Sequence, residues 1–339
     1  MKTFKITLAI IALIALLVVG LTSCNNPQKE DQPAARPENV NVMVFTGTTG
    51  FGMAPLMDKS TKGEALNKYT FSLESTDVEN VIAALINGSV DIAALPTNAA
   101  SLVYNRSEGA VKLLALNTKG VLYLLESGTE KTITSFEDLK GKTVYTPVQN
   151  PAFVFEALCR KNGLVPGEDI NIDSTHKPAE LRTLVESGEV EYAVLPEPMV
   201  TIAQKSAAAA GGAVTVSLDL TEEWGKAYGN QCELIQGCVV VRSAFVEAYP
   251  EAVADFLNEY KESIDFVNQN PEEASQMIVA QKIFAQAPIA KLAIPNCNIF
   301  FASGEEMKSL LAGYLEALYD VKPASVGGKL PDDAFYYVK

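Results

Sequence analysis

Three stretches of this chain concentrate side chains able to hold a small molecule. The first, from Thr46 to Ala54, sets Thr48, Thr49 and Phe51 among glycines just before an apolar helical stretch. Backbone N–H groups at such a helix start can hold a polar or anionic group. The glycines let the backbone come close, and Phe51 could stack on a flat ligand. No Gly-Lys-Ser/Thr comes after it, so this is not a nucleotide-phosphate loop. The second, Thr146 to Phe153, offers the amides of Gln149 and Asn150 as both donors and acceptors, with the ring of Phe153 behind them. The third is a pair of strand ends at Pro96 and Pro196, with Asn98 just after one and Glu197 just after the other. Tyr228, with Asn230 and Gln231, forms a weaker fourth group. Each has a plainer reading: a tight turn with Phe51 in the core, a helix simply starting at Pro151, a solvated Glu197, a packed Tyr228.

Catalytic and metal chemistry find little to work with. The single histidine, His176, lies in a turn-like Thr175-His176-Lys177-Pro178, so no Ser-His-acid set can be assembled. With one histidine and no Cys-x-x-Cys, a zinc site is not expected. The reading is therefore of no catalytic residues, no metal and no cofactor, although paired carboxylates could still do acid–base work. A formal net charge of −14 and the absence of any basic run argue against nucleic acid or anionic lipid as partner.

A different chemistry is written at the N-terminus. Lys2 and Lys5 precede an apolar run from Ile6 to Gly20, closed by Leu21-Thr22-Ser23-Cys24. The run is shorter than the ~20 residues that span a bilayer and fits a signal-peptide core better. The closing tetrapeptide resembles a lipobox, which implies cleavage after residue 23, a diacylglycerol on Cys24 and an extracytoplasmic, membrane-anchored protein. Cys159, Cys232, Cys238 and Cys297 remain. Cys232 and Cys238 are close enough in sequence to pair, but a core of this size needs no covalent staple, so free thiols are expected.

The elements that must position these groups alternate. Residues 25–38 are polar and proline-rich and read as a tether. Strands are predicted at Val40–Phe45, Tyr69–Glu74 and Val90–Leu95, with helices from Ala54 and over Val78–Ile86, a pattern that implies parallel sheets covered by helices. A segment recurs about a hundred residues on. Asn87-Gly-Ser-Val-Asp-Ile-Ala-Ala-Leu-Pro96 aligns with Ser187-Gly-Glu-Val-Glu-Tyr-Ala-Val-Leu-Pro196, each copy after a helix-periodic stretch. Two copies are too few for a solenoid and imply two similar α/β lobes. Ligands bind outside the carboxyl ends of strands in such sheets, so the residues after Pro96 and Pro196 should face a shared cleft.

The repeat, the run Phe136-Glu-Asp-Leu-Lys-Gly-Lys-Thr-Val144, the strand Val239–Arg242 and Tyr249-Pro-Glu-Ala-Val253 resemble, in their order and spacing, the type II solute-binding proteins of ABC importers, specifically the nitrate, alkanesulfonate and thiamine-pyrimidine (NMT1/THI5-like) group. The resemblance implies two lobes on a two-strand hinge with the ligand cleft between them. Lobe 1 would be residues 39–117 plus 239–339, and lobe 2 residues 118–238. It also implies a monomer that closes on one small molecule and delivers it to an ABC permease and its ATPase. None of the candidate loops contains Arg or Lys, and a buried anion usually takes a cationic partner. A neutral or weakly cationic flat molecule, such as a thiamine-precursor pyrimidine, is therefore expected, with alkanesulfonate or nitrate as the alternative within the fold. An enzyme acting on a small aromatic metabolite and a ligand sensor are the alternatives in function.

Overall fold

A computed structural model describes residues 36–75, 77–229 and 232–338. Residues 1–35, and with them the signal peptide, Cys24 and most of the tether, lie outside the described residues, as do Asn230 and Gln231.

Eleven strands are described: β1 Val40–Phe45, β2 Tyr69–Glu74, β3 Ile92–Pro96, β4 Val111–Lys119, β5 Leu122–Ser127, β6 Thr143–Tyr145, β7 Asn171–Asp173, β8 Tyr192–Pro196, β9 Val214–Asp219, β10 Ile235–Arg242 and β11 Ile299–Ser303. They form one sheet of order β11-β4-β10-β3-β1-β2 and another of order β7-β6-β8-β5-β9. In the first, β1 pairs parallel with β2 and β3, and β10 runs antiparallel between β3 and β4. In the second, β6 pairs parallel with β7 and β8, and β5 runs antiparallel between β8 and β9. The series β2-β1-β3-β10-β4 thus has its counterpart in β7-β6-β8-β5-β9. The two strands that carry the chain between sheets, β5 outward and β10 back, occupy the same place in each.

The repeated segment supplies the matching halves. Helix Val78–Asn87 is capped by Asp77, whose carboxylate accepts from the N–H of Glu79, and it ends at Gly88 with φ 79°. Helix Pro178–Ser187 starts on a proline and ends at Gly188 with φ 80°. Both glycines sit in the left-handed region that a chain reversing after a helix requires, which a Cβ would strain. The next strands, β3 and β8, are buried at every position but the last proline, as expected of central strands covered on both faces.

The crossings lie between Lys119 and Leu122 and before Ile235. Thr118 and Lys119 therefore belong to the first sheet, and β10 begins three residues before the sequence-based boundary at 238. Helix Gly304–Val321, part of the first lobe, also reaches the second. It packs on β11 and β4 and also on helix Asn150–Lys161 of the second lobe, so one apolar core, including Leu311, Tyr314 and Leu315 together with Val154 and Leu158, runs through both lobes. Each lobe adds a core of its own on the other face of its sheet. The C-terminal stretch returns to the first lobe, where the Tyr337 N–H donates to the Leu113 carbonyl. Cys159, Cys232, Cys238 and Cys297 are free thiols. Among the described residues no helix is long and apolar enough to cross a membrane.

Candidate functional site

The carboxyl ends of β3 and β8 lie beside the crossings. Pro96 pairs with Gly237 of β10, and Pro196 pairs with Leu122 of β5. The residues just past each proline therefore meet the other lobe.

After Pro96, helix Thr97–Arg106 starts at once. The Thr97 hydroxyl donates to the Ile235 carbonyl at 2.6 Å, fastening the helix start to the return strand. Asn98 is buried, and its Oδ1 accepts from Asn150 Nδ2 at 3.1 Å. Asn150 opens helix Asn150–Lys161 in the second lobe. It also donates to the Tyr314 hydroxyl at 2.7 Å, and its Oδ1 accepts from Gln236 Nε2 at 2.9 Å. Gln236 accepts in turn from the Val121 N–H on the outward crossing at 2.8 Å. One buried amide thus bonds both lobes and, through Gln236, the hinge. Burial pushes the Tyr314 phenol well above its usual range, so it remains a neutral donor and acceptor.

After Pro196 the arrangement differs. Glu197 is 3% exposed, and its carboxylate accepts from the Thr201 N–H at 3.1 Å and the Thr201 hydroxyl at 2.9 Å. It thereby holds the first turn of helix Met199–Ala209, whose N-cap is Pro198, and takes a longer bond, 3.5 Å, from Asn296 Nδ2 on the first lobe. The Tyr123 hydroxyl donates to the Asn296 carbonyl at 3.2 Å beside it. Desolvation pushes the Glu197 carboxyl above its ordinary value, with the three hydrogen bonds pulling the other way.

Of the residues singled out from the sequence, Asn98, Gln149, Asn150 and Phe153 come together. Asn98, Gln149 and Phe153 line one cavity of about 250 Å³ at the seam between lobes, with Val78, Ile82 and Lys322. Gln149 and Phe153 also line a neighbouring cavity of about 530 Å³. Gln149 stands at φ 68°, ψ −127°, a strained backbone for a residue with a side chain.

Others are placed elsewhere. Phe51 is fully buried with its ring edge on Phe284, centroids 5.9 Å apart, so it has no free face for a ligand. The glycines around it answer to packing: a Cβ on Gly50 would stand 2.5 Å from the Phe45 carbonyl oxygen, and one on Gly52 2.7 Å from the Ile264 side chain. Thr48 is buried in the same short helical turn, and the Thr49 carbonyl accepts from Asn117 Nδ2 at 3.3 Å. Tyr228 stacks on Trp224 at 4.2 Å, with Lys161 Nζ 4.6 Å from its ring centre. His176 pairs with Glu180 of the adjoining helix at 3.0 Å.

Sequence reading missed Gln236, Tyr314, Asn296 and Lys322. Gln236 had a signal, a lone amide in the otherwise apolar Ile235-Gln-Gly-Cys-Val-Val-Val241. Tyr314 and Lys322 had none, because helix Gly304–Val321 looks like an ordinary amphipathic helix. Lys322 also qualifies the argument from missing cations. The loops themselves carry none, yet its Nζ stands 5.3 Å from the centre of the Phe153 ring.

This architecture is found in solved structures. The chain superposes on an ABC transporter structure from Parabacteroides distasonis with a TM-score of 0.73 and 22% identity, covering 89% of this chain and 100% of that one. It matches the periplasmic aliphatic sulphonate binding protein SsuA from Escherichia coli at TM-score 0.67 and 16% identity, over 89% and 92% of the two chains. For the periplasmic nitrate-binding protein NrtA from Synechocystis the values are 0.56 and 15%, over 81% and 75%. The fold is therefore that of the two-lobed periplasmic binding proteins. No curated protein matches the chain by sequence. Residues 72–274, more than half the chain, match the NMT1/THI5 like family, and the chain belongs to it.

Proposed function

We propose that this protein is the extracytoplasmic solute-binding component of an ABC importer. It captures one small organic molecule by closure of its two lobes and presents it to a permease and its ATPase. The observation that carries the reading is Asn150, a buried amide in the second lobe bonded to Asn98 and Tyr314 of the first and to Gln236 at the hinge. Contacts of this kind exist only when the lobes are together. A ligand held between the lobes favours the closed state by its differential affinity for it. The protein works as a monomer, and a lipid on Cys24 holds it near the permease at high effective concentration.

For the ligand we favour a neutral or weakly cationic flat molecule such as a thiamine-precursor pyrimidine. The groups at the junction are amides, hydroxyls and the Glu197 carboxylate, and the cations lining the seam cavity are engaged, Arg106 on Glu79 and Lys322 on Phe153. A thermal-shift screen of the soluble chain starting after Cys24 tests this. A binder raises the melting temperature in proportion to the logarithm of its concentration over Kd. Pyrimidines are expected to do so and to be recovered chemically unchanged. A shift with taurine or nitrate and none with pyrimidines overturns the ligand class while leaving solute binding intact.

A further inference from the structure

We propose that Lys322 is a positioning residue for lobe closure, an interlobe latch that works by laying its ammonium on the ring of Phe153. The inference rests on the solute-binding reading for its purpose and on geometry for its substance.

Lys322 stands directly after helix Gly304–Val321, and its backbone is pinned. Its N–H donates to the Leu318 carbonyl at 2.9 Å, and its carbonyl accepts from the Ser325 N–H at 2.8 Å. The Ser325 carbonyl then accepts from Asn98 Nδ2 at 3.2 Å. The segment that bears Lys322 is thus tied to the same asparagine that meets Asn150 across the lobes. On the facing side, Phe153 stands three residues after Asn150 on one helix, and residues at that spacing share a face. Asn150 and Phe153 therefore meet the first lobe side by side, one through hydrogen bonds and the other through the Lys322 ammonium 5.3 Å from its ring centre.

The helix that ends at Lys322 is also held at the return crossing. Helix Gly304–Val321 rests on the return crossing at Gly313, where an added Cβ would stand 3.1 Å from Cys232 Sγ. Nine residues further on, roughly 13 Å along a helix, comes Lys322. The competing partner on Phe153's own helix is unavailable, since the Glu156 carboxylate is held by Arg160 at 2.6 Å. Lys322 also lines the seam cavity, and among the described residues it is the one first-lobe residue lining the neighbouring cavity of the second lobe.

The test reads closure itself, without a ligand, by interlobe fluorescence energy transfer between labels on exposed positions of each lobe. An exposed cation–π contact is worth a few-fold in equilibrium. Lys322→Met is expected to lower the closed-to-open ratio about 2–5-fold, Lys322→Arg to preserve it, and Phe153→Leu to reproduce the loss. In the Phe153→Leu background, Lys322→Met is expected to have no further effect. Additive effects of the two substitutions, or a Lys322→Met protein as closed as the parent, overturn the latch. A latch that passes this test in a chain that binds none of the screened solutes would count against the transport reading alone.

Discussion

The two copies of the helix-glycine-strand segment share one backbone plan up to their final proline and differ most after it. Before it, each strand takes the same place in its sheet, beside the same kind of crossing strand. After it, the first lobe offers Asn98, a neutral amide bonded to the opposite lobe, while the second offers Glu197, a carboxylate spent mainly on Thr201 of its own helix. The acidic residue before each strand diverges too. Asp91 accepts from the Asn41 N–H and pairs with Arg242, tying three strands of its sheet, whereas Glu191 accepts from the neighbouring Tyr192 hydroxyl. A duplicated scaffold thus preserves strand position, which packing enforces, and leaves the strand ends free to take different work.

That contrast breaks most sharply at Asn150. Replacing it with the similarly sized leucine strands Asn98 Oδ1, the Tyr314 hydroxyl and Gln236 Nε2 in a buried place. With each unmade bond worth about 1–3 kcal/mol, the closed form should lose about 3 kcal/mol, read as a roughly 100-fold weaker Kd by calorimetry. If Asn150→Leu binds within threefold of the parent, the amide junction is not what closure depends on.

The crossing strands sharpen the comparison next. Gly237 and Leu122 stand opposite Pro96 and Pro196 at corresponding registers, yet a Cβ on Gly237 would fall 2.4 Å from Asn117 Oδ1. Gly237→Ala should cost about 2 kcal/mol from overpacking, and Leu122→Val about 1 kcal/mol from lost volume. Urea midpoints of the two variants check the order, and equal costs would remove the asymmetry.

The smallest effect concerns Glu197 and pH. Its folded pKa is raised by burial, so between the unfolded and folded values the native state holds the proton that the unfolded chain has released. Stability therefore falls as pH rises through that window. The cost is present above the folded pKa and absent below the unfolded one, near 4 for a free carboxyl. Glu197→Gln should melt about 2 °C higher than the parent at pH 7.5 and show no difference below pH 4. A variant less stable at pH 7.5 would mean that the Thr201 and Asn296 bonds outweigh desolvation.

Much of the fold was legible because its signals are local. Val40–Phe45 alternates, Asp77 caps, and Gly88 and Gly188 stop their helices at equivalent points, all readable from neighbours in sequence. The junction between the lobes was half legible. Asn98, Gln149, Asn150 and Phe153 stand at strand-to-helix turns, where topology brings chemistry to the cleft. Phe51 stands at such a turn as well, yet its ring turns inward because the first lobe has a core to fill there.

What the sequence determined alone is the duplicated α/β plan, since periodicity and turn residues act over a few positions. Which groups meet was decided only by tertiary structure. Asn150 joins partners 52, 86 and 164 residues away, and Lys322 reaches a ring on the other lobe. Such pairings depend on how two crossings and one shared helix set the lobes together, a relation that no local pattern encodes.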